Sequence, residues 1–133
     1  MRVLLDTNVL VSAIFFGGRP RDILDAWVEG RFELIVSPAL YDEYARVCER
    51  LAQKNPTLSY QPILTMLLGA ATLVADSEGT SSITADPDDD KFMRCARDAD
   101  AVVVSGDSDL LDASGWEGVE ALTPTAFLTR LST

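Results

Sequence analysis

The chain has 133 residues, of which 47% are apolar and 24% are charged, and its formal net charge is −10. This predicts one globular domain over residues 1–133, and the acidic balance argues against tight electrostatic binding of nucleic acid unless metal ions neutralise part of it. Histidine is absent, which excludes Ser-His-Asp triads and imidazole zinc sites. No secretory-signal pattern is visible in the sequence, and no apolar run reaches the roughly 18 residues of a membrane span, so we expect a cytoplasmic protein.

Apolar periodicity and turn residues divide the chain into alternating strands and helices. In chain order they predict a strand at 2–5, helices at 7–16 and 20–30, a strand at 32–36, helices at 38–53 and 60–71, a strand at 72–75, a helix at 89–99, a strand at 101–104, a helix at 108–113, a strand at 119–122 and a helix at 124–131. Residues 54–59 and 76–90 are predicted to be polar loops. This alternation indicates a parallel α/β sheet covered on both faces, whose ligands bind beyond the carboxyl ends of the strands.

Two aspartates follow apolar runs that are predicted to be strands. Asp6 follows residues 3–5, and Asp107 follows the run at 101–104 with a short turn between them. A carboxylate at the tip of a buried strand is desolvated, and it needs a cation or hydrogen bonds to stay charged. Taken alone, Asp6 could equally be a helix N-cap and Asp107 a turn residue. Their shared position at one end of a sheet favours a common site.

The helix that begins at Pro38 directs one acid toward the core. Its apolar stripe, drawn at about 100° per residue, consists of Leu40, Tyr44, Val47 and Leu51. Glu43 lies on the flank of this stripe, whereas Asp42 lies on the opposite face. We therefore expect Glu43 to reach the site and Asp42 to be a solvated surface charge.

The acidic run at 86–90 supplies one further candidate. The apolar arc of the helix that follows consists of Phe92, Ala96 and Ala99. Asp89 lies about 60° from the centre of this arc, whereas Asp90 lies nearly opposite and shares a face with Arg94 and Arg97. We select Asp89 and keep Asp90 as the alternative. The other acids of the run are explained by their favourable interaction with the helix macrodipole.

Several other polar side chains have two interpretations each. Asn8 and Ser105 could orient carboxylates or could cap the backbone, and Asp109 is a possible outer-shell acid. Cys48 and Cys95 are interpreted as reduced core thiols. Three cations could contact phosphate, although solvated surface charge is the simpler interpretation: Lys91, Arg19 and Arg21.

Convergence of the four selected acids predicts a site for a hard divalent metal, because Mg²⁺ and Mn²⁺ prefer oxygen ligands. Two alternatives remain open at this point. One is an aspartyl-phosphate phosphotransfer enzyme, although the position of its usual second Asp is Asn8. The other is a non-catalytic receiver or interaction module that only binds metal. Neither a G-x-G-x-x-G motif nor a P-loop is present.

Four motifs, in this order along the chain, resemble those of the PIN domain family. They are LLDTNVL at 4–10, Ser37-Pro38 with Glu43, Asp86-Pro87-Asp88-Asp89 followed by Lys91-Phe92, and VSGDSDLL at 104–111. The resemblance implies a three-layer, Rossmann-like α/β/α fold with a parallel sheet of four to five strands. This sequence departs from the family pattern at Asp90, where the family commonly has Asn, and at Ser105, where Thr is frequent.

The resemblance also implies an activity, a cofactor and partners. It implies an endoribonuclease dependent on Mg²⁺ or Mn²⁺, similar to the VapC-type toxins of toxin–antitoxin pairs. The partners would be an RNA substrate, an antitoxin protein and a second copy of the chain in a homodimer. Carried over to this sequence, the catalytic and metal-binding acids would be Asp6, Glu43, Asp89 and Asp107.

Overall fold

A computed structural model of the chain describes residues 1–57, 59–80 and 82–133. Leu58 and Ser81, which fall in the two predicted polar loops, lie outside the described residues. The strands within the described residues are β1 (Arg2–Leu5), β2 (Glu33–Val36), β3 (Thr72–Leu73), β4 (Val102–Val104) and β5 (Ala121–Leu122). They form one parallel sheet in the order β3-β2-β1-β4-β5.

Helices flank the sheet and complete a three-layer α/β/α arrangement, which confirms the predicted fold class. Within the described ranges they are α1 (Thr7–Phe15), α2 (Gly18–Val28), α3 (Pro38–Lys54), α4 (Gln61–Ala70), α5 (Asp90–Ala99), α6 (Ser108–Asp112) and α7 (Pro124–Leu131). Short 3₁₀ turns lie at Pro87–Asp89 and Trp116–Gly118. No helix in the described part of the chain has the length and apolarity needed to cross a membrane.

The central strand β1 is buried on both faces. Val3, Leu4 and Leu5 are all at most 1% exposed, as expected for a parallel strand with helices on either side. Strand β1 pairs with β2 on one edge and with β4 on the other, and Leu5 is in register with Val104. The backbone N–H of Asp6 continues this ladder and donates to the carbonyl of Val104 at 3.0 Å. The carboxyl ends of β1 and β4 therefore lie side by side.

The predicted and observed boundaries differ by two residues at α2, β3 and β5, and by at most one residue at each end of the other elements. Helix α2 begins at Gly18 rather than at Pro20, because the first helical turn has no intrahelical partner for its N–H groups and tolerates proline within it. Strand β5 begins at Ala121 rather than at Val119. Val119 instead belongs to the preceding turn, where its N–H donates to Trp116 at 2.8 Å.

Candidate active site

Asp6 is the first residue after β1, and its side chain is held on both oxygens. Oδ1 accepts a hydrogen bond from the backbone N–H of Val9 at 2.8 Å, which caps α1, and Oδ2 accepts one from the hydroxyl of Ser105. Asp6 is only 3% exposed. Burial raises the pKa of its carboxyl, the hydrogen bonds oppose that rise, and the charge of Asp107 adds to it. Asp6 is thus both a helix cap and a buried acid at a strand end.

Ser105 links the ends of β1 and β4. Its hydroxyl donates to Asp6, and its Oγ accepts from the backbone N–H of Asp107 at 2.9 Å. The residue is fully buried, so both of the roles considered for it, orientation of a carboxylate and backbone capping, are observed. Asp107 in turn caps α6, with Oδ1 accepting from the N–H of Asp109 at 2.9 Å.

Three carboxylates meet in front of these strand ends. One oxygen from each of Asp89, Asp107 and Asp109 lies within 4.8 Å of the other two. The Oδ2 atom of Asp89 is buried and has no hydrogen-bond partner among the described residues. Burial raises the pKa of Asp89 to about 7, and the charges of neighbouring acids, with Asp107 the largest, add to the rise. Such a group favours a proton or a cation.

Asp90, the alternative to Asp89, does not belong to this cluster. It is 4% exposed, because the preceding loop folds over it. Its carboxylate accepts from the N–H of Ile83 at 3.3 Å and from the N–H and hydroxyl of Thr84 at 2.9 and 2.7 Å. The predicted ion pair with Arg94 is present at 3.9 Å. Burial acts to raise the pKa of Asp90, but these hydrogen bonds outweigh it and the pKa is lowered.

Glu43 lines the same cavity from α3 but does not join the three-carboxylate cluster. The buried Tyr44 hydroxyl donates to the carbonyl of Leu5, which fixes α3 against the end of β1. The Glu43 carboxylate accepts hydrogen bonds from the hydroxyl of Thr7 and from Nζ of Lys91. Its negative charge is therefore already partnered by this chain.

The acids surround a small cavity of about 130 Å³. The described residues that line it are Asp6, Thr7, Asn8, Glu43, Val47, Arg50, Asp89, Phe92 and Asp107. A larger cavity of about 590 Å³ lies beside the start of β1 and β2, and Glu33 is the one acid among its described lining residues. The chemistry of the lining residues, rather than the volume, therefore identifies the smaller cavity as the candidate site. Clustered carboxylates with a buried, unpartnered oxygen fit a hard divalent cation.

The remaining sequence candidates lie at the rim or outside the site. Asn8 is exposed at the rim of the cavity, and Arg19 is exposed on α2. The side chain of Arg21 forms an ion pair with Asp25 of the same helix, at 3.6 Å. The two cysteines are buried and unpaired, as predicted: Cys48 and Cys95.

Three residues of the site carry only weak signals in the sequence. Asp109 was expected only as an outer acid, yet it belongs to the cluster; its spacing of two residues from Asp107 at the start of a helix was an available signal. Thr7 lies next to Asp6 in the sequence, but its contact with Glu43 is visible only in the fold. The position of Arg50 on α3 gives no sign of the cavity until the fold is known.

The fold and the site together define an α/β protein with carboxylates gathered at the carboxyl edge of a parallel sheet. A family model described as "PIN domain" matches residues 2–109. The chain therefore belongs to the PIN domain family. Proteins of this family are generally nucleases and usually bind a divalent metal.

Individual proteins are also similar to this chain. Uncharacterized protein MJ1680 of Methanocaldococcus jannaschii is 29% identical over 118 residues, which cover 84% of this chain and 74% of the relative. The crystal structure of PAE2754 from Pyrobaculum aerophilum has a TM-score of 0.63 at 15% identity, covering 98% of this chain and 88% of that one. SSO1118, a PilT N-terminus domain protein from Sulfolobus solfataricus, has a TM-score of 0.60 at 16% identity, covering 98% of this chain and 93% of that one. The two structures support the fold.

Proposed function

We propose that this chain is an endoribonuclease dependent on Mg²⁺ or Mn²⁺, and that it is the toxin component of a toxin–antitoxin pair similar to the VapC type. The observation that carries the proposal is the convergence of acids from separate segments around one cavity. Among them, Asp89 presents a buried oxygen that no described residue of this chain satisfies. Membership of a family whose proteins are generally nucleases supports phosphodiester cleavage as the reaction class.

The acids that would hold the metal are Asp6, Asp89 and Asp107, with Asp109 as a further oxygen donor. Burial, together with the charges of the neighbouring acids, raises the pKa of Asp89, and a divalent cation would offset both effects. When bound, such a cation lowers the pKa of a water molecule and stabilises charge on the phosphate and on the leaving oxygen. No histidine is required, which fits the composition of the chain.

The chain's own residues would set the geometry of the reaction. Ser105 holds one oxygen of Asp6 in place, and the backbone N–H of Val9 holds the other. Glu43 lines the same cavity as Asp89 and Asp107, and Thr7 and Lys91 position its carboxylate. From this position it would orient the attacking water, while the other acids would bind the metal directly.

The proposed partners follow from the same site. An antitoxin protein would inhibit the enzyme by inserting a basic side chain among the acids, where it would neutralise Asp89 as a metal would. The active form would be a homodimer acting on RNA in the cytoplasm. These assignments extend the resemblance to VapC-type toxins to this chain.

The test is cleavage of single-stranded and structured RNA, with Mg²⁺, Mn²⁺ or EDTA. We expect cleavage only with metal, and a loss of about 100-fold or more in Asp6→Asn. Asp42→Asn is the matched control, because Asp42 is an exposed acid outside the site cavity, and it should retain full activity. Equal activity in the wild type and Asp6→Asn would refute the mechanism. Labelling by a small phosphodonor without metal-dependent cleavage would support the receiver alternative instead.

A further inference from the structure

A nucleic-acid substrate meets an electrostatic obstacle at this site. The chain has 21 acidic and 11 basic residues, and the cavity is bordered by several of the acids. Phosphates approaching it are repelled unless cations lie close by. The described cations therefore indicate where a strand can be held.

Most of the cations are occupied by acids of the same chain. Those in ion pairs are Arg2, Arg21, Arg46, Lys91, Arg94, Arg97 and Arg130. Arg31 donates to the carbonyl of Leu131 at the far end of the sheet from the acids. Arg50 differs from these residues, because it lines the acidic cavity, is exposed and forms no ion pair or hydrogen bond within the described ranges.

The position of Arg50 on α3 relates it directly to the acids. It follows Glu43 by seven residues, which places it two turns further along, about 10.5 Å along the helix axis and only about 20° around it. Arg46 lies between them with its side chain 72% exposed and 3.9 Å from Glu43. An ion pair so exposed and so long is weak, so Arg46 can also turn toward an incoming anion.

We infer that Arg50, assisted by Arg46, binds a phosphate next to the one that is cleaved, so that the RNA strand lies along α3. This inference rests on the proposed function for the identity of the reaction. A guanidinium presents a planar fork of donors that matches phosphate oxygens. Arg50 is thus a positioning residue, separate from the acids that act on the scissile bond. It also accounts for how an acidic protein holds a polyanion.

The test measures binding of a fluorescein-labelled single-stranded oligoribonucleotide by anisotropy over a range of salt concentrations. The chain carries Asp6→Asn throughout, so that cleavage does not interfere. We expect Arg50→Gln to weaken binding roughly tenfold and to reduce the slope of log K against log salt by about 0.7. Arg50→Lys should keep the slope and lose less affinity. Arg31→Gln, the same charge change at the other end of the sheet, should stay within about twofold of the parent.

A second measurement separates this inference from the proposed function. With Asp6 restored, Arg50→Gln should raise KM for RNA and leave kcat nearly unchanged, as expected for a group that binds but does not react. Metal-dependent cleavage by the wild type, combined with unchanged affinity and salt slope in Arg50→Gln, would overturn the inference and leave the nuclease intact. Binding that depends on Arg50 in a chain that never cleaves RNA would support the phosphate site and refute the nuclease.

Discussion

Two adjacent acids, Asp89 and Asp90, are expected to respond in opposite ways to the same substitution. In Asp90→Asn, the amide provides one carbonyl oxygen where the carboxylate provided two. The N–H groups of Ile83 and Thr84 and the Thr84 hydroxyl then compete for it. Hydrogen bonds to a charged group contribute about 1.5–3 kcal/mol each, and part of this survives with an amide. We therefore expect Asp90→Asn to cost about 3 kcal/mol, which lowers Tm by roughly 10 °C.

Asp89→Asn removes a charge that the fold disfavours. Its side chain makes no capping hydrogen bond to α5, and burial together with neighbouring acids holds its pKa at about 7. Neutralising it in the metal-free protein at pH 8 should stabilise the fold by about 1 kcal/mol, since partial solvent exposure limits the gain. The exposed neighbour Asp88 provides the control, and Asp88→Asn should change stability by less than about 0.5 kcal/mol.

The assay is thermal denaturation at pH 8, once in EDTA and once with saturating Mn²⁺. In EDTA the order of Tm should be Asp89→Asn highest, then the wild type and the Asp88→Asn control, and Asp90→Asn lowest. Mn²⁺ should raise Tm of the wild type and of Asp90→Asn, but much less that of Asp89→Asn, because ligand binding to the native state stabilises it. A loss of stability in Asp89→Asn equal to that in Asp90→Asn would refute the distinction between the two acids.

Three further predictions concern pH, packing and thiol chemistry. In EDTA, the free energy of unfolding should fall as pH rises from 5.5 to 8. The pKa of Asp89 is about 7 in the fold against the usual 3.8, so the native state binds more protons than the unfolded state in this window. A free energy of unfolding, measured by urea denaturation, that does not change with pH would contradict this. Tyr44→Phe should cost about 1–2 kcal/mol, because it leaves the buried Leu5 carbonyl without its donor; an unchanged urea midpoint would show that the bond contributes nothing. Cys48 and Cys95 should react with a thiol reagent only after unfolding, since burial raises the pKa of both thiols to about 11; rapid labelling of the native protein would contradict their burial.

The architecture was predictable from the sequence because its signals are local. The apolar run before Asp6 and the Ser37-Pro38 start of α3 depend on neighbours only a few residues away. Ser37 does cap α3 by accepting from the N–H of Leu40 at 3.4 Å. Periodicity likewise assigned the strands and their parallel arrangement, which in turn indicated the edge where a site would lie.

The site was less predictable because it depends on contacts between distant segments. Helical geometry placed Asp90 on the face of α5 away from the core, but the loop containing Thr84 covers that face. The spacing of apolar residues in a helix cannot predict that a loop will cover it. The pairing of Glu43 with Lys91 joins residues 48 positions apart. The place of Arg50 beside the cavity likewise appears only once α3 is packed against the sheet.

The most direct measurement of the central claim is the position of Mn²⁺ in crystals of this protein soaked in the ion, located by its anomalous scattering. We predict a peak within about 2.5 Å of carboxylate oxygens of Asp89 and Asp107, in the cavity that Asp6 and Glu43 also line. Crystals of the Asp89→Asn variant should lack that peak. Mn²⁺ bound only at other surface acids, with no peak at this cavity in the wild type, would contradict the account.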